Sequence, residues 1–351
     1  MERKNRYKKI CLIILKAAIA LFLIVVLNRI FMPKYIYENQ DGRVTEEFYK
    51  EKLDTDIIFV GSSTVYSGIS PMILWQEYGY TSYDRGNASQ PMWTSYYMIE
   101  DAVACRKPKL VVLDIGFIKY WDTFAEEPSN RKAIDGMRFS ATKLACIEAA
   151  RDSEEKLTDY LFPIFRFHTR WKDLNHEDFQ YALYHPLVTH NGFLLDFRET
   201  GYLPEYKGYM LKDNTLLGER NVEYLKKIIE LCQDNEIQIM LMKIPSYSDN
   251  WSYDYDTQII DIAADYGVDY INFDPYSEEI GLDYKKHSPD KGKHLNTPGA
   301  ELFTKYLGAY ISENYRVPVH KEEPEYVEVW SKKTERYETE KQKAIEKMRK
   351  K

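Results

Sequence analysis

Apolar residues in this chain fall into three kinds of run. The longest, Ile10 to Leu27, is apolar apart from Lys16, and at about 1.5 Å per residue it approaches the roughly 30 Å hydrocarbon core of a bilayer. Short bursts of β-branched, aliphatic and aromatic residues at 55–60, 81–84, 109–114, 237–243 and 268–273 have the length of buried strands. Helical spacing predicts helices near 71–78, 91–105, 218–234, 255–266 and 297–314. The last carries Leu302, Phe303, Tyr306, Leu307, Tyr310 and Ile311 on one face. Strands alternating with helices predict an α/β fold with a doubly wound, mostly parallel sheet. From about Lys119 to Leu217 the alternation breaks, which predicts a largely helical insertion of the kind that builds substrate sites at a sheet's carboxyl edge.

The expected organisation is a basic tail at 1–9, a transmembrane anchor at 10–32, a polar linker at 33–53, an α/β domain at 54–316 and a charged tail at 317–351. Both signs of charge are mixed in that last segment, which predicts an exposed, partly disordered helix. Arg3, Lys4, Arg6, Lys8 and Lys9 precede the apolar run, so the positive-inside rule places the amino terminus in the cytoplasm and the chain beyond about Met32 outside. A cleaved signal peptide is the alternative, but Asn28-Arg29-Ile30-Phe31-Met32-Pro33 offers no small-residue cleavage site. The expectation is therefore an uncleaved, single-pass anchor in the cell membrane, with Lys16 snorkelling towards the cytoplasmic interface.

Composition narrows the function classes. With 351 residues, 44% hydrophobic and 29% charged, the chain can bury one α/β core plus an insertion. A net charge of −7 argues against nucleic acid as a partner. The 30 tyrosines suit half-wet grooves such as carbohydrate sites, or reflect a compositional habit. Cys11 lies in the apolar run, leaving Cys105, Cys146 and Cys232, an odd set that cannot complete a disulfide framework. No Cys or His pair has metal-ligand spacing, and the chemistry below needs neither metal nor cofactor.

Two distant segments carry that chemistry. The run Asp56-Ile57-Ile58-Phe59-Val60 stops at Gly61, which places Ser62, Ser63 and Thr64 at a strand's carboxyl end, where ligands of open α/β sheets bind. Backbone N–H groups near Ser63 can face a developing oxyanion, although a Gly-Ser-Ser also serves as an ordinary strand-to-helix turn. His294 stands three residues before Thr297-Pro298, a good helix start. It is therefore mounted on an anchored loop, suited to a general base, and Asp290 four residues earlier can orient its ring. A solvated surface histidine is the bland alternative.

On these residues the chain resembles the SGNH/GDSL hydrolase superfamily, and within it the branch of the teichoic acid D-alanylation protein DltD. The resemblance implies a three-layer, flavodoxin-like sheet with Ser63 as nucleophile, His294 as base and Asp290 as triad acid. Asp290-Lys-Gly-Lys-His294-Leu-Asn is one residue longer than the superfamily's Asp-x-x-His block, so Asp283 or a backbone carbonyl is an alternative orienter and His287 an alternative base. The second block falls at Tyr83 to Gln90 and implies Gly86 and Asn87 as oxyanion donors beside Ser63, with Thr64 and Gln90 as substrate contacts. The third block, usually Gly-x-Asn-Asp, reads Asp114-Ile115-Gly116 and lacks its Asn donor. Phe167-His168-Thr169-Arg170-Trp171 resembles a His-Ser-Arg-Trp signature of this branch. It makes His168, Arg170 and Trp171 candidates for holding a carbohydrate ring or anionic headgroup; otherwise Trp171 packs and Arg170 pairs with a carboxylate. The resemblance implies an extracytoplasmic O-acyltransferase using an acyl-serine, with an envelope polysaccharide or teichoic-acid-like acceptor and a membrane-bound O-acyltransferase as partner. The alternatives are an esterase or deacetylase of envelope glycans, and a non-catalytic glycan-binding or scaffold protein.

Overall fold

The computed structural model describes residues 2–33, 43–120, 125–184, 187–205, 215–247 and 251–349. The amino-terminal helix α1 (Glu2–Phe31) is followed by α2 (Val44–Phe48), β1 (Ile57–Val60), α3 (Ser63–Gly68), α4 (Pro71–Tyr78), β2 (Ser82–Asp84), α5 (Met92–Arg106) and β3 (Leu110–Asp114). Five helices then interrupt the alternation: α6 (Glu127–Ile134), α7 (Ala141–Ala150), α8 (Leu157–Leu161), α9 (Pro163–Phe167) and α10 (His176–Leu183), with a 3-10 turn at His168–Lys172. The α/β pattern resumes with α11 (Glu219–Asp234), β4 (Gln238–Lys243), α12 (Tyr253–Tyr266), β5 (Asp269–Asn272), α13 (Ser277–Ile280), α14 (Thr297–Asn314) and α15 (Pro324–Arg349).

All strand pairs are parallel, in the order β2-β1-β3-β4-β5. The doubly wound sheet expected from the alternation is what forms. Burial on both faces explains why the inner strands read as continuous apolar runs rather than alternating ones. Ile58, Val60, Val111, Leu113, Ile239 and Leu241 face the layer of α5, α7, α11 and α12. Ile57, Phe59, Leu110, Val112, Met240 and Met242 face α3, α4, α14 and α15, as the two-residue period of a strand requires.

Two stretches depart from their sequence reading. Residues 43–53 are not a free linker: Val44 and Phe48 of α2 are fully buried, and Glu47 accepts hydrogen bonds from Val188 N at 2.7 Å and Thr189 Oγ1 at 2.6 Å. The remainder of the expected linker, 34–42, lies outside the described residues. The carboxyl-terminal segment is not an exposed tail either. Trp330 and Tyr337, two turns apart on α15, are buried, and Trp330 stacks on Trp75 of α4 at 5.3 Å between ring centroids. Tyr337 donates to Glu301 of α14 at 2.6 Å, and His320 pairs with Asp56 beside β1 at 2.7 Å. One apolar stripe docks the helix while its other faces remain charged.

Among the described residues, one helix is long and apolar enough to cross a membrane. It runs over Asn5–Phe31, with a mean hydropathy of 3.2 in its most apolar window and none of that window buried, as a membrane span or signal anchor would be. The four cysteines are free.

Candidate active site

In the strand order found here the chain reverses direction between β1 and β3, and the crevice at their carboxyl ends is where such sheets bind ligands. β1 ends at Gly61, where an added Cβ would lie 2.9 Å from Asp114 Cβ and 2.9 Å from Val65 Cγ2. Only glycine lets the two strand ends approach this closely. Ser62 caps α3 in an extended conformation, and Ser63 is its first residue. Thr64 Oγ1 lies 3.0 Å from Ser62 Oγ and donates to Asp114 Oδ2 at 2.5 Å. Asp114 also accepts from the N–H of Ile244 at 3.1 Å and of Gly116 at 3.3 Å. Complete burial pushes the Asp114 carboxyl up, against the pull of its bonds to Thr64 and Ile244 and the charge of Lys243.

The histidine arrives on the loop before α14. Asn296 caps that helix by accepting from Gly299 N at 3.1 Å, and its amide donates to the carbonyls of Arg198 at 2.9 Å and Lys286 at 2.6 Å. His294 Nε2 lies 2.7 Å from Ser63 Oγ, and His294 Nδ1 lies 2.5 Å from Asp290 Oδ2. The other Asp290 oxygen accepts from His294 N at 2.9 Å. The longer block is taken up by two left-handed residues, Lys291 (φ 67°) and Gly292 (φ 90°), which turn the chain back so that the carboxylate reaches the ring. Ser288 Oγ accepts from Gly292 N at 2.8 Å and fixes that turn. Burial raises the Asp290 carboxyl, but the hydrogen bond and charge of His294 outweigh it and hold the group below the usual carboxylate range. Asp283 and His287 are tied to one another, Asp283 N donating to His287 Nδ1 at 3.0 Å, rather than to the Ser63–His294 pair.

Ser63 and His294 open onto a cleft of about 240 Å³. Hydroxyls of Ser62, Thr64, Ser89 and Ser246, apolar surface of Phe117, Tyr120 and Ile244, and the cations Lys119 and Lys293 line it. Gly86 lies against the serine turn, since a Cβ there would fall 2.5 Å from the Ser62 carbonyl oxygen. Asn87 and Gln90 sit beneath: both are buried, Asn87 Nδ2 donates to Gln90 Oε1 at 2.9 Å, and Gln90 Nε2 donates to Ser95 Oγ at 3.1 Å. From that loop it is Ser89, at φ 56°, that reaches the cleft.

The structure does not bring His168, Arg170 and Trp171 to this cleft. They occupy the 3-10 turn beside the end of α1, where Arg170 donates to the Phe31 carbonyl at 2.7 Å and to Asp178 Oδ1 at 3.2 Å. His168 Nδ1 lies 3.0 Å from the Phe165 carbonyl, and Trp171 is exposed. The guanidinium thus satisfies an open helix end, the use that basic groups find at a helix carboxyl terminus.

Sequence reasoning passed over Asp114 as a partner of Thr64, and over Ser89, Phe117, Tyr120 and Ser246 as cleft walls. An acidic residue ending a buried strand opposite a hydroxyl-rich turn is the signal that points to Asp114. It also passed over Asp84, the last residue of β2. Among the described residues neither oxygen of Asp84 has a hydrogen-bond partner, and burial alone raises its carboxyl well above the ordinary range.

No protein-family model matches this chain, and no curated protein matches it. Among solved structures it is similar to a provisionally named lipolytic protein of the G-D-S-L family from Desulfitobacterium hafniense, with 13% identity, a TM-score of 0.37, and coverage of 73% of this chain and 99% of that one. It is also similar to a provisionally named acylhydrolase from Bacteroides fragilis, with 12% identity, a TM-score of 0.38, and coverage of 77% and 95%.

Proposed function

We propose that the chain is a membrane-anchored, SGNH-type serine enzyme that acts on acyl esters. The observation that carries this reading is the unbroken chain Ser63 Oγ to His294 Nε2 at 2.7 Å and His294 Nδ1 to Asp290 Oδ2 at 2.5 Å, opening onto a cleft. His294 takes the Ser63 proton as Oγ attacks an acyl carbonyl, and Asp290 holds the ring and stabilises the imidazolium. The N–H groups of Ser63 and Gly86 hold the oxyanion. Collapse of the tetrahedral intermediate expels the first alcohol, which takes the proton from His294 and leaves acyl-Ser63. An incoming hydroxyl then gives its proton to His294 as it attacks the acyl-Ser63 carbonyl, and collapse of this second tetrahedral intermediate releases the new ester while Ser63 Oγ takes the proton back from His294. The acceptor hydroxyl in this reading belongs to an envelope polymer or glycan, reached on the outer side of the membrane that α1 spans, with a membrane-bound O-acyltransferase supplying the donor. Asp114, its carboxylate already taken up by Thr64 and Ile244, gives the oxyanion no side-chain donor.

The test is labelling of the full chain in native membranes with a fluorophosphonate, read by mass spectrometry. Adduct on Ser63 is expected in the wild type and in neither Ser63→Ala nor His294→Ala. A folded wild type that takes up no label would sink the enzyme reading and leave a glycan-binding or scaffold protein.

A further inference from the structure

We infer that the part of the helical insertion at residues 162–184 rests on the bilayer at its headgroup–acyl boundary, beside the point where α1 leaves the membrane. The inference depends on the proposed membrane span of α1 and adds a second, non-spanning contact to it.

Large apolar side chains crowd the surface of this one stretch. Phe162, Phe165, Trp171, Phe179, Leu183 and Tyr184 are all exposed, Trp171 at 64% and Leu183 at 79%. Phe179 and Leu183 lie four residues apart on α10 and are therefore neighbours on its face. A concentration of this kind marks an interaction surface rather than ordinary solvent exposure.

The occupant follows from what this stretch touches. α9, the 3-10 turn and α10 pack against α1. Ile164 N donates to Asn28 Oδ1 at 3.2 Å, and Arg170 holds the Phe31 carbonyl at 2.7 Å. Along α1 the residues are exposed from Asn5 through Val25, then partly covered at Val26, Asn28 and Ile30 to Pro33. The apolar run from Ile10 to Leu27 is about 27 Å long at 1.5 Å per residue, close to the roughly 30 Å hydrocarbon core. The level at which the insertion meets α1 is therefore the outer membrane boundary. Trp and Tyr rings favour that depth, and Lys172, its ammonium 5.6 Å from the Trp171 ring centroid, suits an aromatic body in acyl chains with its cation among headgroups. The wider insertion begins at the cleft wall, with Lys119 and Tyr120, so seating its part at 162–184 would hold the cleft at one height above the lipid instead of letting it swing.

The test places a nitroxide at Leu183→Cys in the full chain, in a Cys11→Ser, Cys105→Ser background, within phosphatidylcholine nanodiscs. The reading is the ratio of oxygen to nickel-chelate accessibility. Reference labels sit at Ile19→Cys, within α1, and at Phe139→Cys, an exposed apolar residue outside the stretch. The expected ratio at 183 lies between those at 19 and 139. A ratio at 183 equal to that at 139, with 19 deep, overturns the inference and leaves the anchor standing. A water-exposed 19 removes the anchor and the inference together. A label at 183 open to nickel in pure lipid but shielded in native membranes would assign this face to a protein and overturn the lipid contact.

Discussion

The serine and histidine ends of the site are fixed by different forces. Ser63 stands on packed backbone: Gly61 against Asp114 and Gly86 against the Ser62 carbonyl, each too close for a methyl group. His294 owes its orientation to polar contacts with Asp290 and a turn held by Ser288, on a loop where the Asp290 side chain is 39% exposed and the His294 side chain 29%. Steric packing is indifferent to pH and salt, whereas a partly exposed hydrogen bond to a carboxylate is sensitive to both. Removing charge should therefore disable the histidine and spare the serine turn. Added volume should displace the serine turn and spare the histidine loop.

The largest effect is expected from Asp290→Asn. It frees the ring to take the wrong tautomer, and in serine triads the corresponding change lowers turnover about 10⁴-fold. The fluorophosphonate labelling rate should fall by that order while the melting temperature stays nearly unchanged. A rate close to wild type would mean that some other group orients His294 and would dissolve the contrast. Next comes Gly61→Ala, whose methyl meets Asp114 and Val65 and cannot be absorbed by a flexible side chain. Overpacking of this kind costs about 1–3 kcal/mol. Labelling of Ser63 should drop with it, and a variant as stable and reactive as wild type would break the steric half of the comparison.

Thr64→Val sharpens the comparison from the other side, because it touches a titratable group, Asp114, packed against the serine turn. It removes one of the donors to a buried carboxyl, at a cost of about 1–3 kcal/mol. The pH dependence identifies the cause. Burial raises the Asp114 carboxyl in the folded chain, so ionising it opposes folding as pH rises above its unfolded value of about 3.9. Losing the Thr64 bond raises it further, so the stability gap between variant and wild type should widen as pH rises from the folded value of the wild-type group to the higher one of the variant. A constant gap would assign the loss to packing alone.

What was legible beforehand follows the same division. The inner parallel strands β1, β3 and β4 are largely continuous apolar runs, all five strands lie within their expected spans, and the strand-ending Gly61 and helix-starting Thr297-Pro298 point to the turns that bring Ser63 and His294 together. The geometry of Asp290 was not legible, because nothing marks Lys291, a lysine, as a left-handed residue. Charge hid α15: Trp330 and Tyr337 are two rings among many ions, and their pocket is built by α4 and α14, far away in sequence. The motif around Arg170 allowed two readings: its carboxylate alternative is met in Asp178, while the carbonyl of Phe31 that it also holds, supplied by a helix well over a hundred residues earlier, left no mark in the local sequence.

The smallest effect lies in the stability of the histidine loop in acid. His294 holds the Asp290 carboxyl below the usual carboxylate range in the folded chain. A group depressed in this way contributes stability above its unfolded value of about 3.9, and the contribution disappears as pH falls through the folded value. Asp290→Asn removes the contribution at every pH, so the melting temperatures of variant and wild type should converge below about pH 3.9 and separate above it. Because the pair is partly solvated, the separation at neutral pH should stay within about 1 kcal/mol. It would then accompany a loss of turnover equivalent to about 5.5 kcal/mol, since each tenfold change corresponds to about 1.4 kcal/mol. That disproportion is what distinguishes a carboxylate that orients a base from one that holds a loop together: a large stability gap with little loss of labelling would assign Asp290 to the loop.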